Sequence, residues 1–301
     1  MKYLITGASG LIGKKLVNKL LEQNACINIL TTNKNLKSSN KNINKFYWNP
    51  ELNKIDSNCI NGVQIIINLA GSPIAQLWTK SSKKSILLSR TNSVRLLNQI
   101  ILEKKSKIDH FFCASAIGIY KSDNSYTHSE SSQNISNSFL GNTVSKWETS
   151  CEKLKEQKIN VTILRIGLVL SLNGGLLKPI ALSVKYFLGT WFGNGANIYS
   201  WIHIEDLVDS ILFLLNNNKT GIYNLVAPNP ISSKLFTLEI SKVLNKKILF
   251  PPIPSSLIKI ITGPMSELFL FSQNVSSKKI TAEGFNFQYK SISSALNNLL
   301  K

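Results

Sequence analysis

The stretch LITGASGLIG (residues 4–13) constrains this chain more than any other. It spaces Gly7, Gly10 and Gly13 as G-x-x-G-x-x-G. Just ahead, YLIT (3–6) reads as a short buried strand. Just behind, apolar residues at 11, 12, 16, 17, 20 and 21 make one helical stripe. Strand, glycine turn and amphipathic helix in that order is the context in which such glycines serve a dinucleotide. Gly7 permits the tight turn, and Gly10 lets the backbone approach a pyrophosphate whose charge rests on the helix N-terminus. Gly13 lets helix and strand pack closely.

The alternation continues. CINILT (26–31), KFYW (45–48), the continuously apolar VQIIINLA (63–70), DHFFCAS (109–115) and VTILRIGLVL (161–170) read as strands. Helical patterns lie at about 82–104 and 143–157. Strands alternating with helices predict an α/β chain, a doubly wound parallel sheet of the Rossmann kind covered on both faces. Beyond about residue 221 prolines and short helices take over. The expected division is a dinucleotide-binding domain over 1–220 and a small C-terminal α/β subdomain on the substrate side over 221–301.

The end of the second strand bears on which dinucleotide binds. An acidic residue there would hold the ribose 2′-hydroxyl of NAD. Here the strand runs into TTNK (31–34), which has no carboxylate. Thr31, Thr32 and Asn33 offer hydrogen bonds and Lys34 a charge for a 2′-phosphate, so NADP is expected, with NAD the alternative. Lys34 reads equally well as a solvated loop lysine.

The formal net charge is +19, from 35 Lys+Arg against 16 Asp+Glu. Only Arg90, Arg95 and Arg165 are arginines. The scattered lysines ride with abundant Asn and Ile, as translation of an AT-rich genome would give, rather than forming a basic patch of the kind nucleic acid requires. Cys26, Cys59, Cys113 and Cys151 lie far apart without metal-ligand or redox spacing, which suits small buried residues in a reducing cytoplasm and no metal. MKYLITG enters a strand at once, so no leader is expected, and the most apolar run (253–271) is broken by Lys259, Gly263, Pro264 and Glu267. The expected partner is a small-molecule substrate, with neither nucleic acid nor membrane, for a monomer or homodimer.

Further motifs follow in order: NLAGSPI (68–74), SR (89–90), SAIGIY (115–120), LRIGLVL (164–170), SWIHIEDL (200–207) and APNP (227–230). Together with the glycine loop they resemble the atypical extended short-chain dehydrogenase/reductases. The resemblance is to the NAD-dependent epimerase/dehydratase-like branch, and within it to the YfcH-like "epimerase family protein" group with its small C-terminal domain. The resemblance spans the chain and implies roles. Gly7, Ser9, Gly10, Leu11, Ile12 and Gly13 would hold the pyrophosphate, and Thr31, Thr32 and Lys34 the ribose side. Leu69, Ala70, Gly71 and Arg90 would line the adenosine and phosphate side. Ser115 matches the family's active-site serine, and Arg165 and Val169 would pass the nicotinamide. Trp201, His203 and Asp206 belong to a substrate-side motif. The bare residues also allow a structural histidine at 203, a helix-capping Asp206 and an Arg165 that only pairs with a carboxylate.

Typical members of that class carry Tyr-x-x-x-Lys, in which a lysine lowers the pKa of a proton-transferring tyrosine. None of the eight tyrosines here has a lysine four residues later. Aligning Glu148 with the acidic residue of the usual helix puts Leu140 at the tyrosine position and Val144 at the lysine position. Ser115, Tyr120 and His203 are then the candidate catalytic residues. Two functions follow. One is an NADP-binding epimerase- or oxidoreductase-like enzyme acting on a small metabolite. The other is a dinucleotide-binding redox sensor or scaffold without turnover.

Overall fold

The computed structural model describes all 301 residues, Met1–Lys301. Its strands are β1 (Lys2–Thr6), β2 (Cys26–Thr31), β3 (Ile43–Asn49), β4 (Lys54–Ile55), β5 (Ile65–Asn68), β6 (His110–Ala116) and β7 (Asp123–His128). These are followed by β8 (Asn160–Ile166), β9 (Leu168–Leu170), β10 (Ile198–Tyr199), β11 (Trp201–His203), β12 (Gly221–Leu225), β13 (Ile231–Ser232) and β14 (Gln273–Val275). The helices are α1 (Leu11–Glu22), α2 (Lys80–Glu103), α3 (Phe139–Ser150), α4 (Glu152–Glu156), α5 (Leu177–Lys185) and α6 (Ile204–Asn216). The C-terminal part adds α7 (Ser233–Val243), α8 (Ser255–Thr262), α9 (Glu267–Leu270), α10 (Lys278–Ala282) and α11 (Ile292–Leu300).

Eight strands form one sheet in the order β12-β8-β6-β5-β1-β2-β3-β4, parallel except for the terminal β4. From β1 the chain winds outward through β2 and β3, then returns to β5 and winds the other way through β6, β8 and β12. The direction therefore reverses between β1 and β5, and a crevice opens beyond the carboxyl ends of those two strands. The sheet is parallel because its strands are apolar on both faces: every residue of β5 is buried, as are Leu4 and Ile5 of β1. A core of 48 buried apolar residues joins this sheet to helices on both sides. A separate core of 12, including Trp201, Phe236 and Leu296, holds the C-terminal helices against α5 and β11. The larger core also takes in Ile280, Phe285 and Phe287 from the C-terminal part.

Three local features depart from the sequence reading. The strand Gly221–Leu225 pairs in parallel with β8 as the last strand of the main sheet. Its register with β8 sets Asn224 opposite Arg165, and the Tyr120 hydroxyl bridges the two side chains. The run 161–170 is two strands: β8 stays in the main sheet, and β9 pairs with β11. Gly167 is the break, because a β-carbon there would lie 2.5 Å from the Ser200 carbonyl oxygen. The helix expected from 143 begins at Phe139, where the Ser138 hydroxyl accepts from the Gly141 amide at 3.2 Å, and it ends at Ser150.

Candidate active site

The glycine loop crosses the carboxyl end of β1. Gly7 has φ +67°, and a β-carbon on it would lie 2.6 Å from the Leu69 carbonyl oxygen. A β-carbon on Gly13 would lie 2.2 Å from the Gly7 carbonyl oxygen. Only glycine fits either place. Gly10 is the N-cap of α1, and no side chain caps that end and no acid lies in its first turn. The first-turn N–H groups and the positive end of the helix dipole therefore face out unshielded, a seat for a phosphate anion.

The neighbouring loop is held by one hydroxyl. Thr6 Oγ1 donates to Asn68 Oδ1 at 2.6 Å and accepts from the Leu69 and Ala70 amides at 3.1 Å each. Asn68 Nδ2 in turn donates to Ser93 on α2 at 3.1 Å. This network fixes Leu69, Ala70 and Gly71 opposite the glycine loop. Between them opens a cleft of about 670 Å³ whose walls include Gly7, Ser9, Thr31, Thr32, Ala70 and Gly71. Leu11 and Gly10 line the outer side of the same loop, and Ile12 packs onto the main core. Lys34 is exposed and outside the cleft wall, whereas Lys45, from β3, lines it along with Trp48 and Glu51. The lysine that lines the cleft thus comes from the adjacent strand, a neighbour that the second-strand motif does not reveal.

Arg90 is buried on α2 with its guanidinium 3.1 Å from where a Gly71 β-carbon would stand. It donates to the Ile86 carbonyl at 2.9 Å, lies 5.2 Å from the Trp147 ring and has no carboxylate partner. Burial pulls its pKa down to about 10, so it stays cationic at neutral pH beside the cleft.

At the end of β6, Ser115 Oγ donates to Glu148 Oε1 at 2.5 Å. Arg165 grips the same carboxylate with both arms, Nε to Oε1 at 2.9 Å and Nη2 to Oε2 at 2.8 Å. The guanidinium continues through Nη1 to the Tyr120 hydroxyl at 2.9 Å, and that hydroxyl donates to Asn224 Oδ1 at 2.7 Å. Glu148 on α3 is the member the sequence reading left without a role. The signal for it was available: a lone arginine in an apolar strand demands a buried carboxylate, and Glu148 is the only acid in 139–150.

The three candidate catalytic residues do not converge. Ser115 and Tyr120 share the network, but only through Glu148 and Arg165. Tyr120 has no exposed surface, both faces of its hydroxyl are used, and burial raises its pKa above the ordinary tyrosine value. His203 lies outside that network, at the start of α6, where Nδ1 accepts from the Glu205 amide at 3.1 Å and the ring stacks on Tyr289 at 3.8 Å. Burial lowers its pKa to about 4. Packed this way both make structural contacts: the Tyr120 hydroxyl joins Arg165 to Asn224, and the His203 ring caps the start of α6. Asp206 accepts from the Gln288 and Tyr289 amides at 2.8 and 2.9 Å, and the Trp201 indole donates to the Asn229 carbonyl at 2.9 Å. The 200–207 motif thus fastens the C-terminal unit to α6. Val169 is half-buried on β9 against the main core. Leu140 and Val144 pack against the turn at Gly118, with Val144 in an apolar cluster that includes Ile117 and Val226.

A doubly wound sheet with a glycine loop at its switch point and a serine at the end of β6 defines an extended short-chain dehydrogenase/reductase fold. The sequence profile described as the NAD dependent epimerase/dehydratase family matches residues 3–225, and a domain of unknown function, DUF1731, matches 253–299. The chain belongs to the NAD dependent epimerase/dehydratase family. It is 34% identical over 305 residues to an epimerase family protein of Staphylococcus aureus, covering 99% of both chains. An epimerase family protein of Staphylococcus epidermidis is also 34% identical, over 308 residues, covering 100% of this chain and 99% of that one. In structure it is similar to a human epimerase family protein, SDR39U1, solved with NADPH, at TM-score 0.85, 22% identity and 99% coverage of each chain. A nucleoside-diphosphate sugar epimerase of Corynebacterium glutamicum gives TM-score 0.77 at 25% identity, covering 100% of this chain and 58% of that one.

Proposed function

We propose that this protein binds NADP(H) in the cleft at the β1/β5 switch point and acts as an epimerase- or oxidoreductase-like enzyme on a small polar metabolite. The observation that carries this is the fit of the cleft to an anionic dinucleotide. Three glycines leave backbone room, the α1 N-terminus is free of acid and cap, and Arg90 is a buried cation without a carboxylate. The 2′-phosphate preference rests on Thr31, Thr32, Asn33 and Lys45, with no carboxylate at the end of β2. The human relative, solved with NADPH, agrees with this choice.

When bound, the nicotinamide supplies or accepts a hydride. The chain's own part is to place a hydroxyl near the reacting carbon. Ser115 is the residue proposed to touch substrate, and Glu148 and Arg165 are positioning residues that fix the direction of its Oγ. Substrate enters from the C-terminal side, where a cleft of about 700 Å³ is lined by polar groups including Asp123, Asn124, Asn194, Asn197 and Lys259. Such a lining suits a hydroxylated, polar molecule. The C-terminal unit is proposed to close the substrate side. The compartment proposed is a reducing cytoplasm, since all four cysteines are unpaired and three are buried.

The test incubates the NADPH-loaded protein with a panel of sugar nucleotides and small polar carbonyl compounds and follows both NADPH consumption, which reports net reduction, and chromatographic conversion of the compound, which reports epimerisation without net use of cofactor. A member that is turned over by the native protein, and not by Ser115→Ala with unchanged NADPH affinity, supports the reading. A second reading, cofactor binding without turnover, is favoured by one observation: the half-buried Leu140 and the buried Val144 pack by the turn at Gly118 and put no titratable group in place of the pair. NADPH binding with no active compound, and with Ser115→Ala indistinguishable from the native protein, would establish that reading.

A further inference from the structure

The exposed apolar side chains are not spread evenly. Of eighteen large hydrophobics that face solvent, nine lie within 182–188 and 249–261. Singly exposed leucines are ordinary on a protein surface, but a concentration of this kind marks a contact. Tyr186, Phe187 and Leu188 are 63%, 42% and 59% exposed at the end of α5; Phe250 is 50% exposed; Ile260 and Ile261 are 80% and 69% exposed on α8.

Two chain segments about 60 residues apart build this face. The Thr190 hydroxyl donates to the Pro251 carbonyl at 2.7 Å. Gly193 donates to the Ile253 carbonyl at 2.9 Å, and Ile253 donates to Trp191 at 3.0 Å. The Lys246 ammonium lies 4.9 Å over the Phe187 ring. The segments therefore run side by side, and α8 continues directly from the second one. On α8, Ile258 is buried, while Leu257, Ile260 and Ile261 share the opposite, outward stripe.

The two segments that build this face carry charge of one sign. Residues 177–204 and 240–266 contain no aspartate or glutamate, and they carry Lys178, Lys185, Lys242, Lys246, Lys247 and Lys259. A second copy of the chain would set lysines against lysines across a two-fold axis, an arrangement that repels. Apolar side chains rimmed by lysines fit an anionic lipid surface, where the apolar groups enter the headgroup boundary and the ammonium groups meet lipid phosphates.

We propose that this face docks the protein peripherally on anionic membrane, whether or not the cleft catalyses a reaction. No helix is long and apolar enough to cross a membrane, so the contact is interfacial. It departs from the expectation of no membrane partner because that expectation looks for one continuous apolar run, and this face is assembled from two short ones.

The test is co-sedimentation of the full-length protein with vesicles of phosphatidylglycerol and phosphatidylcholine against phosphatidylcholine alone. The anionic vesicles should bind at least about tenfold more tightly at low salt, given the six lysines that the two segments carry. Ile260→Ser with Ile261→Ser, and separately Lys247→Glu with Lys259→Glu, should each weaken binding by about tenfold while the thermal midpoint stays unchanged, because these side chains are exposed. The proposal is overturned if the native protein binds neither vesicle, or both equally. It is overturned if the serine double variant binds as well as the native protein, which would assign attraction to the lysines scattered elsewhere. A dimer that the serine variant converts to monomer, without vesicle binding, would give the face to a second copy.

Discussion

Arg165 and Glu148 form a two-pronged ion pair inside the protein, at 2.9 and 2.8 Å, with side chains only 6% and 13% exposed. The pair ties β8 to α3, and its two ends reach Ser115 and Tyr120. Glu148→Gln removes the charge and leaves a buried guanidinium unpaired, an imbalance that costs about 3 kcal/mol. A urea titration should show that loss. The Glu148→Gln/Arg165→Met double variant should recover part of it, since no charge is then stranded; equal losses in the two would mean the pair is not coupled.

Gly13→Ala places a methyl 2.2 Å from the Gly7 carbonyl, a backbone atom that cannot swing aside. The variant should lose about 2 kcal/mol or more of stability and its NADPH affinity with it. Gly174→Ala is the control, because its nearest neighbour is Leu11 Cδ2 at 3.8 Å and its backbone is ordinary. Stability of that variant should stay within about 0.5 kcal/mol of the native protein.

The three histidines give the pH dependence. Burial lowers His110 and His203 to about 4 and lowers His128 as well. An unfolded chain takes up these protons near pH 6.5, while the folded one resists until about pH 4. Stability from this source is therefore complete above about pH 6.5 and falls as pH drops toward 4, by about 1 kcal/mol per pH unit per histidine. Denaturation midpoints measured across that range should show the slope. His203→Asn, which can still accept from the Glu205 amide, should make it shallower.

Tyr120→Phe separates structural from chemical roles. It removes the hydroxyl that joins Arg165 to Asn224 and should cost about 1–2 kcal/mol. NADPH affinity, and the pH profile of any turnover found, should not change. A shifted pH profile would return Tyr120 to the proton-transfer step.

Much of this was readable from the sequence because it is local. LITGASGLIG carries its own strand, turn and helix, and the apolar runs of β1, β5 and β6 announce a sheet buried on both sides. What escaped was decided at a distance. Gly167 breaks a strand because the Ser200 backbone approaches it, and β12 joins the large sheet because β8 lies beside it. Lys45 lines the cleft because β3 lies next to β2. Tyr120 and His203 read as proton carriers by residue type, and their burial against Arg165, Asn224 and Tyr289 is set by residues far along the chain. Arg165 could be seen as important, yet its partner on α3 became visible only when the helix was laid against the sheet.

The most direct measurement is a tryptophan-quenching titration with NADPH and NADH in parallel. Trp48 lines the cleft and is one of five tryptophans that supply the signal. NADPH should bind at least about tenfold more tightly than NADH, a difference of about 1.4 kcal/mol, and Lys45→Gln should narrow that gap. Binding of neither nucleotide would contradict the assignment of the cleft, and equal binding of both would contradict the role given to Lys45 and the TTN sequence at the end of β2.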